Sequence, residues 1–441
     1  MTRARSVGSI VAGSLIAGLV VAIALVAFPF AGAEENVISG VVLLAFALAW
    51  ASIAVLSRAW TDQPQRWAAV PAAVLALLGV VLLAWPGAVL HDGIGWLWPP
   101  VLLALAVWMF VGARRHLRSR TRAWMVYPVI GLLALAAVGG AYETARELSD
   151  RAAYPMPGRL VDVGGYRLHL SCAGSGSPTV VLLPGAGEVS SSWGWIAPAV
   201  ARDTRVCAYD RAGRAWSEDG RGPQDGVALA ADLHALIEHA NAPSPVVLVG
   251  HSFGGLYALD YAARYPEQVA GVVLLDATHP EMFTRLRTYP MFYEGFRRVS
   301  ATFPSLARLG VARLANRLSF DGLPPRARSE ERALWSTARQ ARSQHDEWAE
   351  APNVMRQAQS LRTLGARPLI VVTAVRGAQE GWMPLQNELA ALSTNSVHRV
   401  LPNAAHESLT QDEGDAAQSS RAIHDVVAAV RSGKPLTRPE P

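Results

Sequence analysis

The chain has 441 residues, more than one average domain, so two are expected. Hydrophobic residues make up 51% of it and the mean hydropathy is +0.20, high for a wholly soluble enzyme. The formal net charge is +5, carried by arginine since Lys434 is the only lysine, but no basic face interleaved with aromatics accompanies a nucleic-acid-binding motif, so nucleic acid is not an expected partner.

Five apolar stretches fill the first 150 residues, at 7–30, 37–56, 68–90, 94–111 and 125–141. Each is about long enough to cross a hydrocarbon core of roughly 30 Å. Arg3 and Arg5 precede the first, and Glu34 and Glu35 follow it. Arg58 and Arg66 separate the second from the third, and His91 and Asp92 the third from the fourth. Arg114, Arg115, Arg118, Arg120 and Arg122 crowd the loop before the fifth. The positive-inside rule then predicts a multi-pass protein of the cell membrane, with a cytoplasmic N-terminus and everything after the fifth span extracytoplasmic. Two other readings stay open. Ala31-Gly32-Ala33 resembles a signal-cleavage site, which would leave the outward assignment intact. The fourth stretch is short and carries Pro99-Pro100, so it could be re-entrant, which would invert the orientation of the rest of the chain. No charged residue lies well inside any stretch, so an anchor is expected and not an ion pathway.

From residue 153 to 432 the pattern changes to alternating strands and helices. Segments 159–163 and 166–172 read as a hairpin around Gly164-Gly165. A strand at 179–183, a helix at 192–201 and a strand at 204–209 follow. Gly226–His239 spaces Leu229, Leu233 and Leu236 as a helix does. A strand at 246–250 leads into a helix, and Val269–Leu275 is the next strand. Residues 280–365 are arginine-rich and helical, without a strand signal. A strand at 368–375, a helix at 383–392, a strand at 396–401 and a helix at 415–430 complete the pattern, and 433–441 reads as a disordered tail. Such alternation predicts an α/β fold with a mostly parallel sheet covered on both faces.

Residues 246–255 read V-V-L-V-G-H-S-F-G-G, a strand that breaks at Gly250-His251-Ser252-Phe253-Gly254 and passes at once into a helix. This is the G-x-S-x-G pattern in its mechanically meaningful context. A serine on so sharp a turn projects its hydroxyl from the sheet edge, and glycines two before and two after leave room where a Cβ would collide. The same turn puts the backbone N–H of Phe253 at a helix N-terminus, where an oxyanion would be stabilised. Ser252 is the expected nucleophile.

With these motifs in order, residues 159–431 resemble the α/β-hydrolase superfamily, with a helical cap inserted after the sixth strand. The resemblance implies an eight-stranded sheet, a nucleophile–acid–histidine triad, and neither cofactor nor metal. It points to His406, in Pro402-Asn403-Ala404-Ala405-His406 after the last strand, as the base. For the acid two positions remain. Asp276 ends strand six, where some haloalkane dehalogenases carry it, and Glu380 comes several residues after strand seven, the usual place. The loop Pro184-Gly185-Ala186-Gly187-Glu188 stands where relatives supply the second oxyanion donor, so Ala186 is expected to serve with Phe253. Glu188 either contacts substrate or is solvated. His279, opening the cap, is a candidate substrate contact. The turn 209–217 resembles the family's turn after strand four and reads as a structural loop held by an Asp210–Arg211 pair. Cys172 and Cys207 would fall on neighbouring strands of such a sheet, either as a disulfide or as two buried thiols.

The cap region between Glu281 and Gly365 holds 14 arginines against 8 carboxylates, interspersed with aromatics and methionines. It could lie against anionic headgroups, or be a solvated helical surface in which arginine replaces lysine. The expectation is a membrane-anchored serine hydrolase of small-molecule or lipid carboxylic esters. The alternatives are a peptidase of the same fold, or a degenerate hydrolase domain serving a membrane sensor or partner-binding role.

Overall fold

A computed structural model describes residues 6–85, 95–117, 120–240 and 244–437, with 120–125 as backbone only. Arg3, Arg5, His91, Asp92, Arg118 and the side chains of Arg120 and Arg122 lie outside the described residues, as does 86–94, where the third apolar stretch was expected to end and the fourth to begin. The chain divides into two compact units: Met1–Ala153 with Phe296–Leu314 and Ser336–Ala338, and the remainder from Tyr154 onward.

The first unit is helical. Helix α1 (Val7–Ala27) opens at Ser6, whose side chain accepts the Ser9 N–H. Helix α2 (Glu35–Trp60) carries Glu35 in its first turn, where the helix dipole favours an anion. Helices α3 (Ala69–Ala84), α4 (Trp98–His116) and α5 (Arg120–Ala153) follow. The prolines of α4 sit in its first turn, where no intrahelical N–H bond is required, so they start the helix without breaking it. Among the described residues four stretches, Val7–Ala27, Glu35–Trp60, Arg66–Ala84 and Val126–Ala153, are long and apolar enough to cross a membrane. Helix α4 is continuous over 19 residues but ends in Arg114, Arg115 and His116, and is not among the four. Large side chains meet in this unit's core, with the Trp50 and Trp67 rings 5.7 Å apart.

The second unit is built on one eight-stranded sheet in the order β1-β2-β4-β3-β5-β6-β7-β8. Its strands are β1 (Arg159–Asp162), β2 (Arg167–Ala173), β3 (Val180–Leu183), β4 (Val206–Tyr209), β5 (Val246–His251), β6 (Val269–Leu275), β7 (Leu369–Arg376) and β8 (Ser396–Ala405). The pairs β1–β2 and β2–β4 are antiparallel and the rest are parallel. Strands β3, β4 and β5 are buried throughout, which is why they read as unbroken apolar runs. One apolar cluster on each face, around Leu248 and Leu256 on one and around Val247 and Val426 on the other, encloses the sheet.

Helix α6 (Ile196–Val200) is shorter than the 192–201 helix expected, because a 3₁₀ turn over Ser190–Trp193 occupies the preceding residues. Helices α7 (Gly226–His239) and α8 (Phe253–Arg264) flank β5. The insertion between β6 and β7 contributes α9 (Met282–Arg285), α10 (Tyr289–Ser300), α11 (Phe303–Arg308), α12 (Val311–Ala315), α13 (Pro325–Trp335) and α14 (Ala338–Ala358). After β7 come α15 (Trp382–Ala390) and, after β8, α16 (Ser408–Gln411) and α17 (Glu413–Ser432). In the segment expected to be a disordered tail, the Leu436 N–H donates to the Asn395 side chain at 2.8 Å; residues 438–441 lie outside the described ones.

Candidate active site

Three parallel strands end at one edge of the sheet, and the residue at or just past each end carries the chemistry. Ser252 follows β5 with φ 53° and ψ −122°, a left-handed conformation costly for a side chain bearing a Cβ. Sterics enforce the turn around it. A Cβ on Gly254 would stand 2.0 Å from the Leu183 carbonyl oxygen, and one on Gly250 about 2.5 Å from the Gly254 backbone. The Ser252 N–H donates to Leu275 O, and its carbonyl accepts from Gly255 and Thr278. The strained turn is therefore tied to the neighbouring strand and to its own helix.

Asp276, immediately after β6, is also left-handed, with φ 43°. Its Oδ1 accepts from the Trp382 indole N–H at 2.8 Å and from the Ala374 N–H at 3.2 Å, while Oδ2 lies 2.6 Å from Nδ1 of His406, which follows β8. Trp382 and Ala374 thus fix the carboxylate, and the carboxylate fixes the imidazole. Glu380 is exposed on the turn after β7 and is not among the residues lining the cavity. The structure brings Asp276 to His406 and leaves Glu380 apart.

Ser252, Asp276 and His406 share the wall of a cavity of about 650 Å³ with Ala186 and Phe253. The N–H groups of Ala186 and Phe253 have no hydrogen-bond acceptor among the described residues. The remaining wall combines aromatic side chains, Tyr289 and Phe292 from α10, Trp335 from α13, Trp348 from α14 and Trp382 from α15, with polar ones such as Arg376, Gln379 and Glu407. His279 is not in that wall, contrary to expectation. Its Nδ1 accepts the Glu281 N–H at 3.1 Å and its Nε2 faces Glu388 of α15 at 3.7 Å, so the ring is turned toward a neighbouring helix.

Glu188 lines the cavity yet is neither solvated nor free to bind a substrate. Its Oε1 pairs with Nδ1 of His251 at 2.8 Å and its Oε2 accepts the Gly185 N–H. Burial alone would raise this carboxyl, but the His251 charge, the hydrogen bond to His251 and the Gly185 N–H outweigh it and hold the pKa below the ordinary value. Burial pulls His251 the other way, and the same pairing overcomes it and raises the imidazole. His251 also lies 3.1 Å from the His406 carbonyl oxygen through Nε2, so the pair links the Ala186 loop to the His406 loop.

The sequence reading missed the clamp behind the Ala186 loop. Arg211 and Arg214, buried in the turn after β4, both reach Glu347 of α14, at 2.7 and 2.6 Å. Arg211 also donates to the carbonyls of Pro184 and Gly185, and Glu347 Oε2 accepts the Gly187 N–H at 2.8 Å. Gln340 donates to the Gly187 carbonyl, and the Tyr257 hydroxyl donates to Glu347. Burial opposes ionisation of Glu347, but the two guanidiniums outweigh it and hold the carboxyl below its ordinary range. The expected Asp210–Arg211 pair is thereby replaced: Asp210 takes Nδ1 of His169 at 2.6 Å and the Ser190 N–H instead. Nothing in the local sequence marks Glu347, which lies 133 positions from Arg214.

Cys172 and Cys207 face one another in the β2–β4 register and form a disulfide.

An eight-stranded sheet of this order, with a serine, an aspartate-bound histidine and two N–H groups gathered around one cavity, is the architecture of the α/β-hydrolase fold. The family model described as "alpha/beta hydrolase fold" matches residues 178–409, and the chain belongs to that family. An uncharacterized protein of Schizosaccharomyces pombe is 29% identical over 303 residues, 59% of this chain and 54% of that protein. The 2-hydroxy-6-oxo-2,4-heptadienoate hydrolase of Pseudomonas putida is 36% identical over 124 residues, 27% of this chain and 44% of its own length. The chain thus spans about half or less of these curated relatives. A solved epoxide hydrolase from Bacillus megaterium shares the fold with a TM-score of 0.50 at 16% identity, covering 61% of this chain and all of that one.

Proposed function

We propose that this protein is a membrane-anchored serine hydrolase that cleaves carboxylic esters, with its hydrolase unit on the extracytoplasmic side. Ser252 Oγ attacks the acyl carbonyl carbon while His406 takes the hydroxyl proton, and Asp276 holds the imidazole in the tautomer that can accept it. The N–H groups of Ala186 and Phe253 receive the oxyanion. Collapse expels the alcohol, which leaves with the proton from His406. Water, deprotonated by the same imidazole, then attacks the acyl-enzyme and releases the acid and Ser252.

The observation that carries this reading is the pairing of a strained Ser252 with an Asp276-bound His406 at one cavity. A serine at the nucleophile position disfavours the chemistry of relatives that attack through a carboxylate. The aromatic side chains of the wall suit an apolar acyl group. A peptidase acting on short N-terminal segments needs a carboxylate for the substrate amine; Glu188 is committed to His251, whereas the exposed Glu407 also lines the cavity, so this reading stands as the alternative. The test is turnover of a chromogenic acyl-ester series by the purified chain. Asp276→Ala should lower kcat by roughly 10⁴, as loss of the orienting carboxylate does in serine hydrolases, while Glu380→Ala stays near wild type. The reverse order would place the acid on Glu380.

The orientation rests on charge. Arg58, Arg66, Arg114 and Arg115 outnumber Asp62 at one end of the antiparallel helices, and Glu34, Glu35, Glu143, Glu147 and Asp150 outnumber Arg146 and Arg151 at the other. The chain leaves α5 from the acidic end.

A further inference from the structure

Residues 296–314 belong by sequence to the insertion between β6 and β7, yet they pack within the helical unit. Arg308 of α11 pairs with Glu35 at the start of α2. Arg313 of α12 donates to both oxygens of Glu143 at 2.7 Å and to Asp150 at 2.6 Å, all three on buried or nearly buried side chains. Ser305 meets Ser39 at 2.9 Å. Backbone contact is as close: a Cβ on Gly139 would stand 2.4 Å from the Leu309 carbonyl oxygen, so α5 accepts the segment only because that position is glycine.

The height of these contacts is informative. Helix α5 has 34 residues, about 51 Å at 1.5 Å per residue, well beyond a hydrocarbon core of roughly 30 Å. Gly139 lies 19 residues from its start at Arg120, about 29 Å along, where a helix entering at its arginine end would leave the hydrocarbon. Glu35 begins α2 at the same end. Below Gly139 the outward face of α5 is apolar, with Leu132, Leu135 and Val138 all exposed. Leu309 and Gly310 pack against Gly139, and on either side of them the docked segment exposes Leu306, Val311 and Leu314, to 39%, 46% and 64%. Three exposed aliphatics on two short helices add to the apolar surface that α5 presents through Leu132, Leu135 and Val138.

We propose that residues 303–314 form an interfacial element, lying on the leaflet at the Glu35 end and sinking Leu306, Val311 and Leu314 among the outermost acyl carbons. Arg308 and Arg313 hold it at that height through Glu35, Glu143 and Asp150. The insertion that supplies Tyr289 and Phe292 to the cavity wall thus continues, about ten residues on, as a lipid-seated arm. The inference rests on the reading of the apolar helices as membrane spans.

The test places single cysteines at Leu306, Leu314, Leu135 and Val227 of the full chain. Each is labelled under non-reducing conditions with an environment-sensitive fluorophore and reconstituted in phosphatidylcholine vesicles. The quencher is a nitroxide lipid whose spin label sits roughly 5–10 Å below the headgroups, the depth at which interfacial apolar faces lie. Leu135 reports the span, and Val227, exposed on α7, reports water. Labels at Leu306 and Leu314 should lose about half their emission, with a blue-shifted maximum, while the label at Val227 is unaffected. If the Leu135 label is quenched and those at Leu306 and Leu314 behave like Val227, the arm does not touch lipid. If the Leu135 label is also unquenched, the spans themselves are wrong and the proposal falls with them.

Discussion

Glu347 has no substrate-facing role in this account, yet it is the residue on which the oxyanion loop depends. It bonds the Gly187 N–H directly and fixes Arg211, which grips the carbonyls on the other side of Ala186. Glu347→Gln keeps the shape but leaves two buried guanidiniums without a full counter-charge. Removing an oxyanion donor outright costs about 10²–10³ in kcat, and loosening one should cost roughly 10–100, with KM little changed. Tyr257→Phe, which deletes one hydrogen bond to the same carboxylate, should show the same pattern in milder form. Steady-state kinetics on both variants, with melting curves to show that they fold, check this; an unchanged kcat, or a loss confined to KM, would contradict it. At this scale the sequence was informative where the signal is local. Ser252, Phe253 and His406 announce themselves within a few residues of a strand end. What sets Asp276 apart from Glu380 is its contact with His406, Trp382 and Ala374, which is a tertiary fact. Glu347 is invisible for the same reason.

Among the elements, the strands were legible because apolar β-branched runs bounded by turns leave little alternative, and β6 and α7 fall where periodicity puts them. The insertion was legible only as helical. Its amphipathic helices do not say which neighbour each one covers, so the assignment of 296–314 to the helical unit could not be read from it. Helix α13 carries a further consequence. Glu331 is fully buried, accepts the Ser192 hydroxyl, and is pushed by burial up to about 8. The unfolded chain sheds this proton near the ordinary value of 4.5, whereas the folded chain keeps it to about 8. The folded state binds more protons in that window, so stability falls as pH rises through it and levels off above, by an amount on the order of a few kcal/mol. Glu331→Gln should flatten this slope and melt higher than wild type at alkaline pH. Melting temperatures of the two proteins across the window decide it; parallel curves would mean that Glu331 ionises normally in the fold.

For the whole molecule, two independent features bear on the proposed extracytoplasmic placement of the second unit. One is the excess of arginines at one end of the helices and of carboxylates at the other. The other is the Cys172–Cys207 pair, which persists in an oxidising compartment and not in a reducing one. Titration of thiols in denatured, non-reduced protein taken from its native membrane should find none, and two after reduction; two before reduction would favour a cytoplasmic location. Composition and hydropathy made the apolar helices legible at once, whereas the expectation of five spans rests on α4, whose arginine-tipped end dilutes its apolar signal.

The central claim, an activated Ser252 outside the membrane, is tested most directly with a membrane-impermeant fluorophosphonate on intact cells and on lysates, comparing wild type with Ser252→Ala. The account predicts labelling of the wild-type chain in both preparations and of Ser252→Ala in neither. Labelling in lysates alone would place the active site on the cytoplasmic side, and no labelling of wild type in either would mean that Ser252 is not an activated nucleophile.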